Sequence, residues 1–201
     1  EAGQYEHTII IVEDDADIHF IEGCSAPKYN KNVVHAGAVE LYIGKRARLR
    51  YSTIENWSRN MYNLNTKRAI VDEDSVIEWI SGSFGSKVSM LYPMSILKGE
   101  RSRCEYTGVT FAAACQYLDT GCKTIHAASN TSSKVKAKSI SKNGGWCGYR
   151  SLLKVLPGVK RVKATAECES LMLDDMSKSD TIPTIVANTD DIDIGHEATI
   201  G

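Results

Sequence analysis

Tight cysteine pairs are missing from this sequence. Its six cysteines stand at 24, 104, 115, 122, 147 and 168, and no CxxC occurs. Zinc ribbons and ferredoxin-type cluster sites use such pairs, so any metal here must be held by residues distant in sequence. Long apolar runs are missing too. The longest are of the order of Ile9-Ile10-Ile11-Val12, far short of the roughly 20 residues that cross a bilayer, so no membrane segment is expected. Neither sign of charge is in excess. With 24 Lys plus Arg against 25 Asp plus Glu, no global field steers a polyanion, and nucleic acid is disfavoured. No GxSxG, Walker A, HExxH or EF-hand loop occurs. The opening Glu1-Ala2-Gly3-Gln4 shows neither a secretory leader nor a myristoylation pattern, and Gly201 ends no CaaX box. The chain reads as a core piece of something longer, in a reducing cytoplasm where its thiols stay free.

What is present is alternation. The chain has 201 residues, 42% of them hydrophobic, which suits one globular domain over 1–201 with a core that needs no staples. Apolar residues recur at period two in segments such as Ala38-Val39-Glu40-Leu41-Tyr42-Ile43 and Val76-Ile77-Glu78-Trp79-Ile80, so strands dominate. Turn-then-strand units align at Ala16, Ala47, Ser75, Ser102, Ser133, Lys160 and Asp191. A near-constant step of about two short strands per unit predicts stacked coils, because a single coil cannot cover its own apolar face. A β-sandwich, with looser spacing, is the alternative. No helix of three turns is convincing, and Cys147 to Lys154 reads as one turn or a bend.

Charge is divided along the chain. Ten Lys or Arg and no acid lie between Thr120 and Ala166, whereas acids dominate from Glu167 onward. Trp146 and Tyr149 could add stacking to a nucleic-acid face. Lys134, Lys136 and Lys138, however, alternate with Val135 and Ala137 as on the solvated side of a strand. Stacking would lay them beside the acidic stripe, and mutual neutralisation is the simpler account.

Candidate chemistry is sparse. Cys24, in Glu22-Gly23-Cys24-Ser25-Ala26-Pro27, reads as an exposed turn thiol, either reactive or inertly packed. Cys168 lies mid-strand, where the flanking Glu167 and Glu169 are expected to raise its pKa. His196 shares a strand face with Ile192 and Ile194, and Glu197 shares the other with Asp191 and Asp193. Alternation separates the two, so they could ligate one metal only at a bulge, a strand end or a subunit contact. His126 reads as a satisfied core residue. The acids Asp190, Asp191 and Asp193 could serve a polysaccharide lyase or hydrolase, but they look like a solvated turn.

Eight strings occur in one order: Glu22-Gly23-Cys24-Ser25-Ala26-Pro27, Tyr51-Ser52-Thr53-Ile54-Glu55-Asn56-Trp57, Thr66-Lys67-Arg68-Ala69, Asp119-Thr120-Gly121-Cys122-Lys123-Thr124-Ile125-His126, Asn130-Thr131-Ser132-Ser133, Tyr149-Arg150-Ser151-Leu152, Cys168-Glu169-Ser170-Leu171 and His196-Glu197-Ala198-Thr199. Together they resemble the SufB/SufD scaffolds of the SUF iron-sulfur cluster assembly system. The resemblance implies an all-β, right-handed parallel β-helix of about six to seven coils that serves as an assembly platform rather than a catalyst. It implies persulfide sulfur from cysteine desulfurase sulfur-transfer proteins. A transient cluster of the 4Fe-4S type would form where two scaffold subunits meet, with flavin left open. The implied partners are the SufC ATPase and either SufD or a second SufB copy.

By matching position, Cys168 is the cluster or sulfur cysteine and Cys24 the second sulfur acceptor. Glu197 is the carboxylate ligand beside His196, and Trp57 and Lys67 line a tunnel. Departures from the family pattern are Glu55, where the family has Gln, the stretch Leu173-Asp174-Asp175-Met176-Ser177-Lys178 in place of a Gly-rich turn, and Gly195 before His196. The helices that grip SufC in the family are absent from these residues. A cluster-free, SufD-like structural subunit is the alternative function.

Overall fold

The alternating segments fold into strands throughout a computed structural model that describes residues 3–26 and 30–201. Glu1, Ala2 and Pro27 lie outside the described residues. In chain order the strands are β1 (Gly3–Val12), β2 (Asp17–Ser25), β3 (Val33–Ile43), β4 (Arg48–Trp57), β5 (Met61–Val71), β6 (Val76–Gly85), β7 (Val88–Leu91), β8 (Met94–Leu97), β9 (Arg103–Ala112), β10 (Tyr117–His126), β11 (Ser132–Ser141), β12 (Trp146–Val155), β13 (Val162–Met172), β14 (Lys178–Val186) and β15 (Ile192–Ile200). No helix occurs among the described residues, and so none is long and apolar enough to cross a membrane.

The strands alternate between two facing sheets. One runs β1-β3-β5-β7/β8-β10-β12-β14 and the other β2-β4-β6-β9-β11-β13-β15. Parallel pairing holds in both, as in β1 with β3 and β2 with β4. The chain is a parallel β-solenoid of seven coils. The fourth rung of the first sheet is split into β7 and β8 around Tyr92-Pro93, because proline has no N–H to give to a ladder.

Coil length follows from the register. Asp17 pairs with Arg48, Arg48 with Val76 and Val76 with Arg103, steps of 31, 28 and 27 residues. Ala16, Ala47, Ser75 and Ser102 therefore do occupy one repeated position. The later expected positions drift: Thr131 and Val162 precede the next paired residues Ser132 and Lys163, not Ser133 and Lys160. A polar turn has no buried face to set its register, whereas a strand does. The segment Cys147 to Lys154 belongs to β12 rather than to a bend, since β10 and β14 pair with it on both sides. Gly148 permits this. A Cβ there would collide with the Trp146 ring, which stacks on Tyr117 with centroids 3.9 Å apart.

In-register stacking turns the interior into columns of side chains. One column runs Phe20, Tyr51, Trp79, Tyr106, Val135, Ala166 and His196. Its first rings are in contact, with centroids 5.1 Å apart for Phe20 and Tyr51 and 5.5 Å for Tyr51 and Trp79. The facing sheet supplies Leu41, Ala69, Val71 and Leu97 to the same core. At one corner the residues Asp15, Arg46, Asp74, Arg101, Asn130 and Arg161 all take positive φ. Their side chains pair along the stack, with Arg46 on Asp15 at 2.6 Å, Arg101 on Asp74 at 2.6 Å and Arg161 on Asn130 at 2.5 Å. Core and corner should respond differently to truncation. Leu97 is fully buried, and Leu97→Ala is expected to cost about 2–5 kcal/mol by chemical denaturation. Arg46→Gly is expected to leave the midpoint nearly unchanged, because relief of the left-handed backbone offsets loss of an exposed pair.

Candidate functional site

Polar side chains occupy inward positions of the first three coils, where column neighbours must satisfy them. Glu22 on β2 stacks beside Thr53 on β4, and Cys24 beside Glu55. From the opposite sheet, Lys67 on β5 reaches Glu22 at 2.7 Å and Thr53 at 3.0 Å. Its ammonium also lies 4.8 Å from the Tyr51 ring centroid, a cation–π contact. The Tyr51 hydroxyl donates to Glu22 at 2.8 Å. Glu55 accepts from Asn63 at 2.5 Å and from Asn65 at 3.1 Å. The Asn63 side-chain oxygen lies 2.9 Å from His35 Nδ1, and His35 Nε2 is 3.2 Å from Glu6. The result is two neighbouring polar groups inside the solenoid, Lys67 with Glu22, Thr53 and Tyr51, and Glu55 with Asn63, Asn65 and His35.

Burial and charge oppose each other there. Glu55 is 1% exposed. Burial raises its pKa against the lowering effects of Lys67 and the two amides. Burial also acts to raise Glu22, but the charge of Lys67 and hydrogen bonds from Lys67, Tyr51 and Thr53 prevail and hold it below the usual range. Cys24 is pushed up to about 12 by burial, with Glu22 and Glu55 adding to the effect. The sequence expectation of an exposed turn thiol is corrected. Cys24 lies near the end of β2, half-buried, packed with Ala26 against Val33, Trp57 and Met61. The strand continues this far because β4 runs alongside it to Asn56. Trp57 is buried with no partner for its indole N–H, and its ring lies 4.5 Å from that of His35.

Near the other end of the solenoid, Cys168 on β13 and His196 on β15 face inward, with Sγ 4.0 Å from Nε2. Burial pushes the Cys168 thiol up to about 11. The flanking acids are not the cause. Glu167 and Glu169 point outward and pair with Lys136 at 3.2 Å and Lys138 at 2.7 Å, which is the neutralisation expected of the two stripes. Glu197 is exposed on that outer face, in register with Glu167. One chain thus brings Cys168 and His196 together and leaves Glu197 on the opposite side of the strand. Among the described residues no group of three or more His, Cys, Asp or Glu could hold a metal. His126 is buried and hydrogen-bonded to Thr131 at 2.8 Å and Ser133 at 3.1 Å, a satisfied core residue as expected. Asp190, Asp191 and Asp193 are all exposed.

A family model described as "SUF system FeS cluster assembly, SufBD core domain" matches residues 1–201. The chain belongs to the SufBD core family. It is 44% identical over 198 residues to an iron-sulfur cluster assembly SufBD family protein of Mycobacterium leprae, covering 98% of this chain and 23% of that protein. It is 43% identical over 198 residues to the iron-sulfur cluster assembly protein SufB of Bacillus subtilis, covering 98% of this chain and 43% of the relative. A SufBD family protein of Staphylococcus aureus strain MRSA252 is 44% identical over 198 residues, 98% of this chain and 43% of its own length. The chain spans less than half the length of these relatives. That family, by its description, serves iron-sulfur cluster assembly in the SUF system.

Of the polar interior, sequence reasoning singled out Lys67 and Glu55 and missed His35, Asn63, Asn65 and the role of Tyr51. A signal was available: Asn63, Asn65 and Lys67 share parity with the buried Met61, Ala69 and Val71, and polar residues at buried parity mark a network. The Lys67–Glu22 pair is testable. Lys67→Met leaves Glu22 without its cation and is expected to cost about 3 kcal/mol, while adding Glu22→Gln recovers part of that loss in a denaturation cycle. Glu55 gives a pH dependence of opposite sign to an ordinary salt-bridged acid. Its raised folded pKa contributes stability below the unfolded value of 4.5, and that contribution is lost as pH rises through the folded value. Glu55→Gln is expected to flatten the fall in thermal midpoint as pH rises above 4.5.

Proposed function

We propose that the chain is the scaffold core of a SUF cluster assembly protein. It accepts sulfane sulfur at Cys24, receives it at Cys168 by way of the solenoid interior, and holds a nascent cluster beside Cys168 and His196. The approach of the Cys168 thiol to the His196 imidazole carries this reading. These are the soft and borderline donors that suit ferrous iron and sulfide. Glu197 is presented from the outer face of the last coil, so it joins them only where a second subunit meets that coil. A carboxylate is the harder and weaker donor, which favours release of a cluster that must be handed on.

Transfer follows thiol exchange. A thiolate at Cys24 attacks the outer sulfur of an incoming persulfide, and the donor leaves as its own thiolate. Because burial holds Cys24 and Cys168 in the thiol form, reaction waits on a donor that enters and changes that environment. Trp57 and Lys67 flank the path at the Cys24 end, and Lys67 pairs with the Glu22 carboxylate that acts on the thiol there. The cargo is a transient cluster of the 4Fe-4S type. The partners are cysteine desulfurase sulfur-transfer proteins, the SufC ATPase, and SufD or a second SufB copy, in the cytoplasm, and the platform itself is not an enzyme. A cluster-free, SufD-like role is the second reading, favoured by the separation of Glu197 from the other two donors. Anaerobic incubation with ferrous iron and sulfide separates the two. The scaffold is expected to develop a visible charge-transfer band with acid-labile sulfide, lost in Cys168→Ser. No band in the intact chain, with or without its partner subunit, establishes the structural role instead.

A further inference from the structure

Cys104, Cys122 and Cys168 project inward from the fourth, fifth and sixth coils, on β9, β10 and β13, and belong to one buried cluster. Their surroundings differ. Cys104 is engaged by Ser95 at 3.2 Å and by Thr124 at 4.0 Å. Cys122 instead lines a hollow between the sheets, together with Ser151, Ala164, Ala166 and His196. The hollow exists because the inward column shrinks from Tyr106 to Val135 and then to Ala166. Water-sized groups can occupy about 30 Å³ of it, above the roughly 10–15 Å³ that admits a single water. An added sulfur atom is of that scale.

Tyr149 is the second observation. It faces inward on β12, two residues before Ser151, the register partner of Cys122. It is 6% exposed, and its hydroxyl has no hydrogen bond of normal geometry. That hydroxyl nevertheless sits beside Cys122, Cys168 and Ser151. A buried hydroxyl whose bonds are poorly formed gains from a stronger acceptor. A persulfide or thiolate between the two cysteines is the acceptor that fits.

We infer that Cys122 is a second sulfane-sulfur position, exchanging sulfur with Cys168 under the Tyr149 hydroxyl. The inference rests on Cys168 accepting sulfur, as proposed above. In the step, the Cys168 thiolate attacks the outer sulfur of a Cys122 persulfide. The S–S bond at Cys122 breaks as the one at Cys168 forms, Cys122 leaves as a thiolate, and it takes up the proton that Cys168 gave. One sulfane sulfur moves and no oxidant or reductant is consumed. Tyr149 donates to whichever sulfur carries the negative charge and acts as a positioning residue.

Inorganic polysulfide, supplied below one equivalent and then removed, tests this. The chain is quenched with an alkylating agent in denaturant at successive times, and the cysteine peptides are weighed for one added sulfur. Expected are adducts on both Cys122 and Cys168, their ratio drifting to a constant value while their sum holds. In Cys122→Ala the adduct stays on Cys168. In Tyr149→Phe, which removes the hydroxyl and keeps the ring, the drift slows several-fold. An adduct on Cys168 with none on Cys122 at any time overturns the inference and leaves the proposed function standing. Adducts on neither Cys24 nor Cys168 remove the proposed function, and the inference with it.

Discussion

Parallel coils stacked in register are the constraint on which the rest of this structure depends. Each inward side chain has as its nearest neighbours the residues at the same place one coil before and one coil after. The interior is therefore a set of columns. Large rings placed in one column support one another, as Phe20, Tyr51 and Trp79 do. Polar groups placed in another must bond along the column or across to the facing sheet, which is how Lys67 meets Glu22 and how Asn63 and Asn65 meet Glu55. A charge in this setting is tolerable only with its partner present, because desolvation is costly and the attraction that repays it needs close geometry.

The columns also give the solenoid two chemically different ends. Early coils are filled by aromatic, acidic and basic side chains, and the half-buried thiol Cys24 sits among them with its thiolate disfavoured by burial and by Glu22 and Glu55. Later coils carry small residues such as Ala137, Ala164 and Ala166, and the space they leave is bordered by Cys122 and His196. Thiols held protonated and out of solvent are slow to oxidise, since the thiolate is the reactive form. The same burial keeps outside reagents from them unless the surrounding packing opens. Strand alternation sends Glu197 outward while His196 turns in, so the outer face presents a different set of residues.

Much of this was legible before any coordinates. Period two marked the strands, a repeated turn position marked the first coils, and strand parity alone put His196 and Glu197 on opposite faces. The stripes Lys136/Lys138 and Glu167/Glu169 were expected to meet, and they pair across neighbouring coils. Other readings failed for identifiable reasons. Cys24 lies beside Gly23 and just before Ala26-Pro27, local signals of a turn, yet pairing with β4 extends the strand to Ser25. The flanking acids of Cys168 suggested an electrostatic shift, but neighbours in sequence along a strand point away from each other, so burial is the cause.

What the sequence determined by itself was the repeating unit, the opposite facing of neighbours such as His196 and Glu197, and the family to which the motifs belong, because alternation and turn chemistry are local properties of the chain. Only the tertiary structure decided which residues from different coils touch. Cys168 with His196, Lys67 with Glu22 and Tyr149 with Cys122 are tens of residues apart, and a shift of one or two residues in a turn would give each of them a different neighbour. That offset is set by packing summed over whole coils, and no single segment carries it.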